Sequence, residues 1–328
     1  MTTGTVWGWL RLGGGAAVLA AVLWHTGLDP FVGGLTALDP WVLLLATALA
    51  VPATAACAWR WLLVARGLGV DMRMGPALAA CYRAQFLNTT LPGGILGDVH
   101  RGVRHGRQTG SAGRGLRGVA WERLAGQAVQ AVIALVVLLL LPSPVRSTMP
   151  VVVALLAVGL GVAALVLPRL RRRPRTAGVD RLLGAVADDV RLGLLSRGAW
   201  PGVVLASAVA VALHLTTYLV AARAVGLSAA PATLLPLAVL VLLAAGLPLN
   251  VAGWGPREGM AAWAFAAAGL GADQGVAVAV AYGAMVTVAN LPGAVVLVVT
   301  TGARRDGRPT DPARRPPTPL AGEGTVHG

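Results

Sequence analysis

Long apolar runs alternate along this chain with short connections that hold almost all of its arginines. The runs cover Trp9–Leu28, Trp41–Leu63, Val119–Leu141, Pro150–Leu167, Trp200–Ala222 and Val276–Thr300. Each approaches the roughly 20 residues that a helix needs to cross about 30 Å of hydrocarbon. Two further apolar pieces, Pro76–Thr90 and Pro231–Leu247, break off early. The first runs into Cys81–Arg101, CYRAQFLNTTLPGGILGDVHR, and the second into Gly246–Gly259, GLPLNVAGWGPREG. Both stretches set an Asn beside a Gly/Pro break and end in charge, Asp98 with Arg101 and Arg257 with Glu258.

Arginine placement predicts a topology. Connections 60–73, 101–123 and 169–197 and the tail 304–315 are basic, whereas 29–40, 142–149 and 223–230 hold only Arg146 and Arg223. The positive-inside tendency then puts both termini in the cytoplasm of a multi-pass plasma-membrane protein. Arg60, at the end of its run, is expected to snorkel to the headgroups. Both broken segments must enter and return, from opposite faces. The predicted fold is all-α and polytopic, with about six full crossings and two re-entrant broken-helix hairpins. These form an inverted repeat, about 41–141 and 200–300, within one transmembrane domain over 1–303. The alternative makes each broken segment two crossings; Leu91–His100 is too short for that, although Pro231–Leu247 nearly spans. Inside 169–197, Leu182, Leu183, Val186 and Val190 suit either a surface-lying amphipathic helix or a packed linker. Residues 304–328, rich in Pro, Gly and Arg, read as a disordered tail. Trp9, Trp24, Trp41, Trp59, Trp121 and Trp200 fall at expected span ends.

Composition sharpens the class. Hydrophobic residues make up 56% of the 328, charged residues 12%, and mean hydropathy is +0.72, against roughly 25% charged in a soluble domain. The net charge of +14 comes from arginine alone, because no lysine occurs. Arginines confined to connections between apolar runs point to anionic headgroups rather than to nucleic acid. The opening run has no basic residue before Arg11 and continues to Leu28, which fits an uncleaved first span better than a signal peptide.

The breaks hold the candidate chemistry. Non-helical backbone in hydrocarbon needs protein, water or ligand to satisfy its N–H and C=O groups. In LPGGILGD, Pro92 stops a helix while Gly93 and Gly94 permit close approach. Freed N–H groups and a helix N-terminus there favour an anion such as a lipid phosphate; a plain turn in a shallow loop is the competing reading. Asp98 requires a cation if it lies in the bilayer, and Arg101, Arg83 or Arg257 can supply it. Arg83 and Gln85 interrupt an apolar segment, where a guanidinium can grip phosphate or snorkel outward. Glu258 in a first helical turn is favoured by the dipole, so capping explains it as well as substrate binding beside Arg257 does. Asn88 and Asn250 can each bond freed backbone and ligand. Glu122 and Arg123 read as an ion pair at the interface, and Asn290 with Pro292 as a packed kink. The binding candidates are Arg83, Gln85, Asn88, Gly93, Gly94, Asp98, Arg101, Asn250, Arg257 and Glu258. No catalytic set, cofactor motif or metal site emerges: the histidines lack zinc-ligand spacing, no nucleotide loop occurs, and Cys57 and Cys81 read as free buried thiols. His214, within HLTTY, suits a bond between helices.

FLNTTLPGGILGDVHR followed by GWGPREG resembles the transmembrane domain of the lysylphosphatidylglycerol synthases, a flippase-like family. The family pattern falls here on Asn88, Pro92, Gly93, Gly94, Gly97, Asp98 and Arg101, then on Gly253, Gly255, Arg257, Glu258 and Gly259. The resemblance covers nearly all of residues 10–300. Trp254 and Pro256 depart from it, which affects the shape of the turn rather than the charge pair. It implies a protein that translocates or binds an anionic or aminoacylated phospholipid such as lysylphosphatidylglycerol. In full-length relatives a separate cytosolic domain transfers the amino acid from tRNA. No such domain is expected in these 328 residues, so the implied partners are membrane phospholipids and a separately encoded lipid-modifying enzyme, with a homo-oligomer left open. Two other functions stand beside this one. One is a membrane enzyme or accessory subunit in glycolipid or polyprenyl-phosphate-sugar metabolism, with Asp98 and Glu258 as acid and base. The other is a structural membrane scaffold.

Overall fold

The computed structural model describes residues 3–92, 94–108, 112–171, 184, 187–194, 196, 198–247 and 254–306. Helix α1 (Thr3–Thr26) ends at Gly27 and turns into the short α2 (Asp29–Thr36). Helix α3 (Pro40–Gly67) starts sharply because the Asp39 carboxylate accepts from the Val42 N–H (3.0 Å) and Pro40 opens the first turn. Next come α4 (Met74–Thr90), α5 (Leu96–Gln108), α6 (Ala112–Leu140) and α7 (Met149–Arg171). The chain continues through α8 (Trp200–Ala224), α9 (Pro231–Ala245), α10 (Pro256–Ala267), α11 (Ala272–Ala289) and α12 (Pro292–Asp306).

Helices α3 and α8 make the most extensive pairing, and α11 packs on α2, α3, α8 and α10. The main core lies among α8, α9, α10, α11 and the second half of α6, with Tyr218, Leu234, Leu237, Phe265 and Met285 fully enclosed. A smaller core joins α3, α4 and α6 through Ala58, Trp61, Cys81 and Val119. Outward faces remain apolar, including Val132, Val136 and Leu140 on α6 and Val295, Val298 and Val299 on α12. Such faces cost nothing against acyl chains, which are as apolar as the side chains themselves. Trp24 and Trp41 are largely exposed near helix ends, whereas the Trp121 indole N–H donates to Asp189 (3.1 Å).

The protein is an all-α, multi-pass membrane protein, but not with six crossings and two re-entrant hairpins. Among the described residues, four helical stretches are long and apolar enough to span: Pro40–Gly67, Ala112–Leu140, Trp200–Ala224 and Ala272–Thr300. A fifth arises if Gly13–Thr26 and Asp29–Thr36, bent by 95°, count as one span. That bent pair lies at the N-terminal end, outside both breaks the sequence singled out, and packs against the second of them, with the Phe31 and Trp254 ring centres 6.4 Å apart. Arg146–Gly159 and Pro231–Ala245 are shorter apolar helices, and α5 carries His100, Arg101, Arg104, His105 and Arg107 on 13 residues. The topological prediction assumed that arginines mark water-facing loops. Arg60 and Arg101 instead lie inside the protein, at 7% and 4% exposure, so an arginine beside an apolar run does not by itself mark a loop, and helix length and apolarity yield four spans rather than six.

The basic connection 169–197 falls mostly outside the described residues, as does the tail beyond Asp306. Within the connection, Asp189–Leu194 forms a π-helical turn whose Asp189 pairs with Arg117 (2.7 Å).

Candidate functional site

Polar side chains from α3, α4, α5 and α6 meet in one buried network. Glu122 on α6 is its centre, at 1% exposure. Its Oε1 accepts from Arg60 Nε (2.9 Å) and Nη2 (2.5 Å), and its Oε2 from Arg101 Nη2 (2.7 Å). Arg60 Nη1 also donates to Ser207 Oγ on α8 (3.1 Å). Arg101 bonds Asp98 Oδ1 (3.0 Å) and the Cys81 sulfur (3.0 Å), and its guanidinium lies 4.5 Å from the centre of the Trp61 ring. Arg123 pairs with Asp98 Oδ2. Burial, followed by the Arg101 charge, pushes the His105 imidazole below its usual value.

Asn88 joins α4 to α5 across the first break. Its Oδ1 accepts from the Gly97 N–H (2.8 Å), a donor in the first turn of α5 that no helical carbonyl can satisfy, and its Nδ2 donates to Asp98 Oδ2 (2.8 Å). Gly97 allows this closeness, since a Cβ there would run into the Ala84 backbone of α4. Asn88→Ala removes a cap and an amide tether together. It is expected to destabilise the fold by about 1–2 kcal/mol, seen as a lower unfolding midpoint in detergent. Asn88→Asp restores the acceptor but sets a second carboxylate against Asp98, so it should not rescue the loss.

The second motif is built around a left-handed backbone position. Gly255 sits at φ 121°, a conformation open to glycine, and its N–H donates to Glu258 Oε2 (2.7 Å). Arg257 Nε and Nη2 donate to Glu258 Oε1 at 2.8 and 2.5 Å. The Arg257 guanidinium stands 5.3 Å from the Trp254 ring centre and 5.7 Å from that of Tyr282. Trp254, a departure from the family pattern, thus packs against the charge pair. Tyr282 Oη lies 3.1 Å from His214 Nδ1, the contact between helices expected of that histidine.

Both motifs open on one cavity of about 310 Å³. Gln85, Asn88, Gly94, Arg101 and Arg257 of the predicted set line it, together with Arg60, Glu122 and Arg123. A second cavity of about 420 Å³, more apolar, is lined by Asp98, Ile95, Val99, Leu116 and Leu247 and shares Gly94, Arg123, Gln127 and Ala245 with the first. Glu258 is fully enclosed beside Arg257. Arg83 is buried on α4 but lines neither cavity. Gly93 and Asn250 lie outside the described residues. Among the described residues no group of His, Cys, Asp and Glu is arranged to hold a metal ion.

Sequence reasoning missed the centre of the network. Glu122 and Arg123 do not pair with each other: Glu122 takes Arg60 from α3 and Arg101 from α5, and Arg123 takes Asp98 from α5. Arg60 does not snorkel. Its signal was a charge set inside AACAWRWLLV with apolar residues on both sides. Asp98 takes Arg101 and Arg123, while Arg257 belongs to Glu258.

A family model described as the lysylphosphatidylglycerol synthase TM region matches residues 8–293. No curated protein matches the chain.

Proposed function

Since the chain belongs to the lysylphosphatidylglycerol synthase transmembrane-region family, we propose that it carries phospholipids between leaflets, holding the headgroup phosphate in the arginine-lined cavity. One observation carries this reading: Arg60, Arg101, Arg123 and Arg257, from four helices, line the same cavity, and Glu122 is the one carboxylate lining it among the described residues. Charge inside a membrane protein is costly and marks a substrate or ion pathway by default. The buried Arg101 Nε–H, which has no hydrogen-bond partner among the described residues, leaves a donor for a phosphate oxygen. The adjoining apolar cavity suits acyl chains, since Ile95, Val99, Leu116 and Leu247 on its wall are apolar and partly exposed.

The candidate acid and base of a membrane enzyme are already engaged. Glu258 has Arg257 on one oxygen and the Gly255 N–H on the other, and Asp98 is held by Arg101, Arg123 and Asn88. Counterion duty accounts for both. Placement in the plasma membrane, with a separately encoded lipid-modifying enzyme acting before or after transport, follows from the same reading.

The test uses purified protein in liposomes with fluorescent phosphatidylglycerol. The lipid is expected to change leaflet at unchanged mass. A product of new headgroup mass would point to an enzyme, and no movement across a lipid panel would end the transport reading.

A further inference from the structure

The two described carboxylates that line these cavities, Glu122 and Asp98, are occupied on both oxygens, and so is Glu258, enclosed beside Arg257. Glu122 takes Arg60 and Arg101. Asp98 takes Arg101 on Oδ1, with Asn88 and Arg123 on Oδ2. Glu258 takes Arg257 and a backbone N–H. Arginine remains protonated in proteins, so the four guanidinium groups at the cavity outnumber these three carboxylates by one positive charge. A phosphodiester supplies the missing negative charge. An incoming ammonium finds no carboxylate oxygen without a donor and meets a surplus of its own sign.

The rest of the wall is neutral and rich in hydrogen-bonding groups. Thr54 donates to Gln85 Oε1 (3.0 Å), while the Gln127 and Gln130 side chains also line the cavity. A primary amide offers both donors and acceptors, as hydroxyl groups require. Taking the cavity as the headgroup site proposed above, we propose that it selects a monoanionic phosphodiester with free hydroxyls, a polyol or sugar headgroup, over the same headgroup esterified with an amino acid. Aminoacylation consumes a hydroxyl and adds at least one ammonium. With lysine the headgroup becomes a net cation, which the arginine surplus repels.

The full chain in liposomes distinguishes the possibilities. Acyl-labelled phosphatidylglycerol and phosphatidylinositol are expected to change leaflet at least about tenfold faster than lysylphosphatidylglycerol, as like-charge juxtaposition dictates. Equal or faster movement of the lysyl lipid would overturn the selectivity and leave transport standing. Movement of none of the three would remove transport and the selectivity with it. Gln130→Glu, nearly isosteric, adds a carboxylate that no arginine already holds. It is expected to raise the rate for the lysyl lipid relative to phosphatidylglycerol by about tenfold, and an unchanged ratio would overturn the role given to the charge surplus.

Discussion

Glu122→Gln is expected to destabilise the folded protein by about 3–5 kcal/mol, the cost of breaking a buried ion pair from one side. The amide keeps the shape of the side chain and can still accept hydrogen bonds. What it removes is the charge that Arg60 and Arg101 share, leaving Arg60 with no carboxylate and Arg101 with Asp98 alone among the described residues. The loss should appear as a lower unfolding midpoint in detergent. Arg60→Gln alone should also destabilise, and the double variant should lose less than the two single losses added together, because partners in one network are not independent. Additive losses, or an unchanged midpoint for Glu122→Gln, would show that this cluster does not hold α3, α5 and α6 together.

Arg123→Ala is expected to keep the fold and to slow leaflet transfer of phosphatidylglycerol by about tenfold or more, the scale set by truncating one partner of a hydrogen-bonded charge pair. Its side chain is about half exposed, at 47%, and Asp98 retains Arg101 and Asn88 when it is gone. It also lines both cavities, and its removal erases the surplus positive charge. Arg123→Lys should recover part of the rate, since an ammonium supplies charge without the planar fork of a guanidinium. Wild-type transfer by Arg123→Ala would take this residue out of the transport path.

Local features of the chain were legible where the physics is local. Pro92 and the residues around it break the helix, and α4 and α5 stop and start on either side, at Thr90 and Leu96. Asn88, expected to bond freed backbone, takes the Gly97 N–H. Glu258 sits in a first helical turn and bonds the N–H of the residue that caps it. Partners distant in sequence were not legible. Arg60 and Glu122 stand 62 positions apart, and nothing in either neighbourhood names the other. Reading Arg60 as a headgroup anchor and Glu122 with Arg123 as a neighbour pair assigned each charge to its nearest local explanation.

The linear order of residues was enough to identify a chain that lies in hydrocarbon and to locate the helix break around Pro92. Hydrocarbon demands long apolar helices, and the clustered Pro and Gly at 92–94 end one where the lone Pro52 and Pro236 do not. Which charges meet one another inside the protein emerged only once the helices were packed. A buried arginine is tolerated only with a partner, and its one-dimensional context does not show whether a distant helix brings one. For Arg60 that partner is the carboxylate another helix brings within 3 Å.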